Sequence, residues 1–153
     1  MNRLFQHVDF SNTFDGCSTF NSDVSRWNTG SAKTTNAMFA DAVLFDSDLS
    51  NWDVSRVESL RSMFYDAFSF TSDLSRWSTG NVKSFRTVFY IARSFQSDLS
   101  KWNTTSGETM DSMFGFASLF TSDLSKWDVR TASENHLTAS LPQVFFLPLC
   151  SSS

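Results

Sequence analysis

The sequence predicts an α/β repeat fold, a solenoid built from short parallel strands and helices. Its tryptophans recur every 25 residues, and two series of phenylalanines keep the same period. A fixed period of about 20 to 50 residues is typical of chains in which each unit buries its apolar side against its neighbours. The three series are the Trp column (Trp27, Trp52, Trp77, Trp102, Trp127), the first Phe column (Phe14, Phe39, Phe64, Phe89, Phe114) and the second Phe column (Phe20, Phe45, Phe70, Phe95, Phe120).

Each unit is predicted to begin with a short strand. From Leu49, apolar residues follow the spacing L-x-x-L-x-L, and Trp52-x-Val54 forms its alternating centre. Alternation with a period of two is typical of a strand. The same spacing characterises the strand half of a leucine-rich repeat, so the fold is predicted to be leucine-rich-repeat-like. Trp then occupies an inward position, which favours a role in the core over a role as a carbohydrate platform.

The second part of each unit is predicted to be a helix. The segment Ser55-Arg56-Val57-Glu58 fits a capping box, the signature of a helix start. The apolar residues that follow are spaced by three, three, one and three positions, which places them on one helical face. These residues are Val57, Leu60, Met63, Phe64 and Ala67.

We expect one repeat domain over residues 5–132, followed by a divergent tail over residues 133–153. The domain divides into a half unit at 5–20, full units at 21–45, 46–70, 71–95 and 96–120, and a half unit at 121–132. The tail carries both prolines of the chain and matches no repeat position. It is interpreted either as a divergent cap over the last Trp layer or as foreign sequence from a reading-frame boundary. Neither end shows a dedicated polar cap, so we expect that the ends allow end-to-end self-association.

Composition excludes several classes of protein. The formal net charge is -4 and no basic run is present, so nucleic acid is not expected as a partner. No apolar run reaches the length of a membrane span, and residues 1–10 contain no apolar segment typical of a secretory signal. The two cysteines provide neither a disulfide framework nor a metal pair. Cys17 shares a position with Ala42 and its repeats, which predicts a small buried residue and not a reactive thiol.

The repeat closely resembles a bacterial surface-protein repeat of about 26 residues. The shared pattern is F-x-S-D-L-S-x-W-x-(T/V) followed by V-x-x-(L/M)-x-x-M-F-x-x-A-x-x-F, and it covers about residues 7–132. That repeat is described as a BspA-like relative of leucine-rich repeats and occurs in mycoplasma lipoproteins. The resemblance implies a non-enzymatic role at a cell surface, although this chain lacks the signal, lipobox and wall anchor of such proteins. The matching residues are, for example, Phe45, Asp48, Leu49, Ser50, Trp52, Asp53, Val54, Ser55, Val57, Met63, Phe64, Ala67 and Phe70.

One aspartate recurs in every unit and is a candidate metal ligand. Stacked units would place these carboxylates about 5 Å apart, where they repel one another unless something neutralises them. A calcium ladder would do so, but the unit has a single recurrent Asp and no recurrent Gly. The alternative is an Asx turn in which each carboxylate accepts a backbone N–H, and this interpretation is favoured. We predict no bound metal and no cofactor. The Asp column comprises Asp23, Asp48, Asp73, Asp98 and Asp123.

Two polar columns beside the Trp column form the candidate binding surface. Both are predicted to point outward from the strand row, where a mostly basic column lies beside a neutral-to-acidic one. Such a face suits an anionic protein or glycan. The alternative is that the bases pair with acids on the same face and only keep it soluble. The basic column is Arg26, Asn51, Arg76, Lys101 and Lys126, and the second column is Asn28, Asp53, Ser78, Asn103 and Asp128.

The sequence favours a non-catalytic interaction module. The histidines are His7 and His136, in the two incomplete end units, and no catalytic triad, zinc motif or phosphate loop is present. An active site must break the symmetry of a repeat, and no polar cluster in this sequence does so. The rival hypotheses are a purely structural spacer or a degenerate copy that has no ligand of its own.

Overall fold

The computed structural model describes residues 8–130 and shows a stack of 25-residue coils. Two short strands, β1 (Val8–Asp9) and β2 (Ala32–Thr34), pair in parallel with a register shift between Val8 and Asp9. Three isolated parallel bridges continue the same ladder through the later coils. They join Thr34 to Ser59, Ser59 to Ser84, and Ser84 to Thr109. Equivalent residues of successive repeats therefore lie directly beside each other.

The prediction of an α/β solenoid with helices is wrong, because the described residues contain no helix. In the segment predicted to be helical, Ser62 and Asp66 have φ values of 55° and 50°. A helix requires negative φ at every residue, so these two positions interrupt it. The same left-handed conformation recurs at equivalent residues of the neighbouring coils, namely Asn12, Ala37, Thr87 and Ser112, and Gly16, Asp41, Ile91 and Phe116.

Backbone hydrogen bonds explain what replaces the helix. The N–H groups of Ser62 and Phe64 donate to carbonyls of the next coil, at 2.9 and 3.0 Å. The N–H groups of Met63 and Tyr65 close tight local turns instead, with bonds of 3.0 Å to the carbonyls of Leu60 and Ser62. The chain thus alternates between a turn bond and a bond to the next coil. These N–H groups are therefore satisfied without helical geometry.

The spacing of the coils gives the physical reason for the absence of helices. Rings of the first Phe column stack with centroids 5.9 Å apart for Phe39 and Phe64 and 5.7 Å apart for Phe64 and Phe89. Packed helices need axes about 8–10 Å apart. On the opposite part of the coil, the Trp77 and Trp102 centroids are 6.1 Å apart, so the stack does not fan open to make that room.

The predicted location of the strand is also wrong. Trp52 and Val54 take part in no strand or bridge. The parallel bridges occur instead at Ser59 and its equivalents, inside the segment predicted to be helical. The predicted capping box is likewise not formed, because the Glu58 N–H donates to the carbonyl of Lys33 in the preceding coil at 2.9 Å.

Aromatic side chains fill the core, as the repeat predicts. The Phe64 and Phe70 rings stack within one coil at 4.1 Å, and both side chains are fully buried. The inward position of Trp is confirmed from the second Trp onward, where exposure is 3–6%. Each of these indoles donates its Nε1–H to a carbonyl of the preceding coil, as Trp77 does to Leu49 at 3.0 Å. Trp27, in the first full coil, is 37% exposed.

The prediction that Cys17 is buried is wrong, because this side chain is exposed. Its equivalents Ala42 and Ala67 are fully buried. The difference follows from position, since Cys17 lies in the first described coil and has no earlier described coil to cover it. The predicted tail lies outside the described residues. No helix long and apolar enough to cross a membrane is found within 8–130.

Candidate interaction surface

The Asp column builds the turn that precedes each Trp. The Oδ1 atom of Asp73 accepts the N–H of Ser75 at 2.9 Å, and the same bond recurs at the same length in all five coils. The predicted Asx turn is thus confirmed. Hydrogen bonds from the backbone and the hydroxyl of that Ser lower the pKa of Asp73 and of its equivalents. The carboxylates are therefore held in their charged form by the turn itself.

A column of serines, which was not predicted from the sequence, links these turns between coils. The Oγ atom of Ser97 accepts the N–H of Leu74 at 2.8 Å and donates to Oδ1 of Asp73 at 3.1 Å. Ser72 and Ser122 bridge their preceding coils in the same way. Each Ser thus satisfies a buried N–H while it supports a carboxylate. The sequence signal that could have identified this column is the recurrence of Ser two residues after each second-column Phe.

The second polar column is largely occupied by turn formation. Oδ1 atoms of Asn28, Asp53, Asn103 and Asp128 each accept the N–H of the residue two positions later, at 2.9–3.3 Å. These side chains lie outside any strand, and all but the half-buried Asp128 are exposed, as is Ser78. The Oδ1 atom of each of the four turn-forming residues is thus already engaged within the protein.

Arg130 reinforces one of these turns at the end of the described chain. Its Nε and Nη2 atoms donate to Oδ1 and Oδ2 of Asp128, at 3.0 and 2.6 Å. The side-chain hydrogen bonds from Arg130 lower the pKa of Asp128 to about 2. Asp128 is thus the most fully neutralised residue of the predicted surface.

The basic column is exposed and differs from the second column in its partners. Arg26, Asn51, Arg76, Lys101 and Lys126 all lie at the surface, on the turn directly before each Trp. Among residues 8–130, no ion pair within 4.0 Å involves any of these four cations. The cation three residues later lowers the pKa of Asp23, Asp98 and Asp123, but it does so less than the hydrogen bonds from the turn. The cationic groups therefore face solvent and contact no carboxylate of the described residues.

A second charged column, which was also not predicted from the sequence, differs from the basic column because its charges are paired. Lys33 and Lys83 both reach Glu58 of the coil between them, with N–O distances of 2.9 and 3.4 Å. These hydrogen bonds lower the pKa of Glu58. Glu108 occupies the next position in the column, so the charges alternate from coil to coil. Open depressions of about 550 and 240 Å³ lie over this column, and the paired residues Lys33 and Glu58 line both of them.

Comparison with known proteins gives a family but no activity. A family model described as "Mycoplasma protein of unknown function, DUF285" matches residues 5–98 and again residues 68–138. No curated protein and no solved structure matches the chain. The mycoplasma-type repeat predicted from the sequence is consistent with this family, whereas the BspA-like relationship stays a prediction.

Proposed function

The chain belongs to the mycoplasma protein family of unknown function DUF285, and we propose that it is a non-catalytic repeat scaffold that binds an anionic protein or glycan surface. The binding groups are the cations of the basic column. The observation that carries this proposal is the contrast between two charged columns of the same stack. Charges of the Lys33–Glu58–Lys83 column are paired across coils, whereas those of the basic column have no carboxylate within 4.0 Å in the described chain.

Positive charge is most concentrated where the basic column has three consecutive cations. Arg76, Lys101 and Lys126 belong to successive coils. The adjacent tryptophan rings are 6.1 and 6.3 Å apart, which sets the spacing of the turns that carry these cations. Like charges held at this spacing on a rigid scaffold raise the local potential and attract anions. The Asn51 position interrupts the column toward the first coil.

The regularity of the surface supports a role in binding rather than catalysis. The turn that presents each cation is the same in every coil, with the same 2.9 Å bond from Ser to Asp. Repetition of one geometry suits multivalent contact with an extended ligand. Both histidines, His7 and His136, lie outside the described residues.

A spacer without a ligand is the second candidate function. It is favoured by the acidic residues Asp23, Asp98 and Asp123, whose charges lie three residues before a cation and reduce its net potential. Under this alternative the basic column only keeps the surface hydrated.

The test is charge reversal on two faces. The variant R76E/K101E/K126E is compared with R56E/R61E/R86E, which makes the same change of charge at three exposed cations outside the basic column. Retention on immobilised heparin is measured against salt, together with binding to an array of anionic glycans and acidic proteins. We expect the first variant to lose binding by at least about tenfold with an unchanged melting temperature, and the second to bind like the wild type.

Two results would reject this function. Equal losses in both variants would show that only net charge matters. Absence of binding by well-folded wild-type protein to every anionic probe would favour the spacer.

A further inference from the structure

A corner of the stack that the basic column does not use exposes large apolar side chains. Leu44, Phe68, Phe116 and Leu119 are 44–67% exposed. In each coil these residues lie within two positions of the buried Ala that marks the same turn, represented by Ala67. They therefore lie along one corner, in the first, second and fourth full units. Half-buried Tyr65, Tyr90 and Ile91 and exposed Arg93 belong to the same turns, and together these eight residues are called the corner patch.

Ring contacts connect the corner patch from coil to coil. Tyr65 and Tyr90 stack at 5.2 Å, and Phe116 meets Tyr90 edge-on at 5.5 Å. The Arg93 guanidinium lies over the Phe68 ring at 5.7 Å from its centroid. The patch is thus continuous from Tyr65 through Tyr90 to Phe116 across three coils, and contiguous exposed apolar surface marks an interaction site.

Backbone strain shows that the apolar residues are not required by the fold. Ile91 and Phe116 have φ values of 61° and 58°. The equivalent residues in earlier coils are Gly16, Asp41 and Asp66, which adopt this conformation more readily. A β-branched or aromatic residue is strained in this conformation. The sequence therefore places apolar groups at strained positions, half-buried at Ile91 and exposed at Phe116, and such strain is a mark of functional sites.

The charges on and beside the corner patch have a direction along the stack. Acidic side chains, Asp41 and Asp66, lie in the first two full units, and the single cation of the patch, Arg93, lies in the third. In the described chain no ion pair is formed by Arg93, Asp41 or Asp66. A second copy laid alongside in the same direction would place Arg93 against Arg93 and Asp66 against Asp66. A copy laid in the opposite direction places Arg93 near Phe68 and Asp66 of its partner.

We infer that the corner patch is the interface of an antiparallel, side-by-side dimer of this chain. The two-fold axis lies between the units 46–70 and 71–95, so that the first full unit of one copy faces the fourth of the other. Leu44 then meets Leu119, and Phe68 meets Arg93, on both sides of the axis. Such an isologous interface closes on itself and stops at two copies. It differs from the end-to-end self-association expected from the sequence, which has no such limit.

Charge exchange tests the pairing of Arg93 with Asp66 across the interface. Molar mass is measured by light scattering after gel filtration, over protein concentrations up to about 1 mM. We expect the mass to rise toward twice the 17.3 kDa of one chain. R93D alone and D66R alone should each weaken dimerisation at least about tenfold, because each faces a like charge. The double variant D66R/R93D should restore it. Failure of the double variant to recover would overturn the inference.

A second variant separates loss of contact from loss of fold. F116N removes an exposed ring and installs a residue that tolerates positive φ, so the melting temperature should stay equal or rise. Dimerisation should fall several-fold. An unchanged dimer would overturn the inference, as would a wild type that remains at 17.3 kDa or grows beyond two chains.

Cross-linking tests the orientation. In a background of C17S/C150S, oxidised L44C/L119C should give a covalent dimer, because the antiparallel arrangement brings these two positions together. The single variants L44C and L119C should not cross-link. Efficient cross-linking of L119C alone would indicate a parallel arrangement and contradict the proposal.

Discussion

The turn before each Trp and the corner after each first-column Phe show how one repeat separates scaffold from surface. Around the Trp, sequence and geometry repeat together, from the Asp–Ser turn to the indole bond with the preceding coil. At the corner, the backbone keeps its left-handed turn while the side chain changes from Asp66 to Ile91 to Phe116. Invariant columns maintain the stack, whereas variable columns on the same backbone supply individual contacts.

Removal of a core ring is expected to reduce the free energy of unfolding more than any other change considered. Phe89 is fully buried between Phe64 and Phe114, at 5.7 Å from each. Phe89→Ala should reduce the free energy of unfolding by about 3–5 kcal/mol, because it leaves a cavity in the middle of the column. The matched control is Phe116→Ala, at a corner position that is 67% exposed. Urea unfolding should show a loss at least several-fold smaller for the control, and similar losses would erase the distinction between column and corner.

A smaller loss of stability is expected when one of the serine links between coils is removed. Ser97→Ala removes the Oγ atom that accepts the buried N–H of Leu74 and donates to Asp73. Leaving that N–H unpaired should cost about 1–3 kcal/mol. Gln96→Ala, at the exposed neighbouring residue, should change stability by less than about 0.5 kcal/mol. Chemical denaturation of both variants checks the difference, and an unchanged Ser97→Ala midpoint would remove the serine column from the scaffold.

Acid should weaken the turns in a graded way. The pKa values of Asp48, Asp73, Asp98 and Asp123 are lowered from 3.8 by hydrogen bonds to the Ser two residues later. A carboxylate with a lowered pKa in the folded state contributes stability above its unfolded value, and that stability is lost as pH falls below about 4. Thermal melting between pH 6 and pH 2 should show this decline.

A matched substitution identifies the source of the acid sensitivity. Asn at position 73 still accepts the N–H of Ser75 but does not titrate. Asp73→Asn should therefore melt less steeply with falling pH than the wild type. A wild-type melting temperature that rises below pH 4 would contradict this account. Melting with and without a chelator separately tests the calcium alternative, for which the midpoint should fall.

Much of the core followed from the sequence because burial repeats with the chain. The positions of Trp77, Phe64 and Phe70 and the Asx turn at Asp73 were all predicted correctly. The prediction of a helix was wrong because another structure produces the same apolar spacing. Turns closed by a bond from Met63 to Leu60 and from Ala67 to Phe64 also return a side chain inward every three residues. Apolar spacing alone cannot separate such turns from a helix, whereas the coil spacing can.

The ladders between coils escaped prediction because they depend on columns rather than on local pattern. Glu58 fits a capping box when only its own repeat is considered. Aligned with Lys33 and Lys83, it becomes the centre of an alternating column. Local motifs in a repeat protein therefore need comparison with the residues one period before and after them.

The most direct measurement of the central claim is the backbone conformation of residues 57–67 in solution. Backbone chemical shifts and HN–Hα couplings from NMR report φ at each residue of this segment. The account predicts left-handed values at Ser62 and Asp66 that interrupt the segment, and the same values at Thr87 and Ser112. An unbroken run of right-handed helical shifts from Val57 to Ala67 would contradict it.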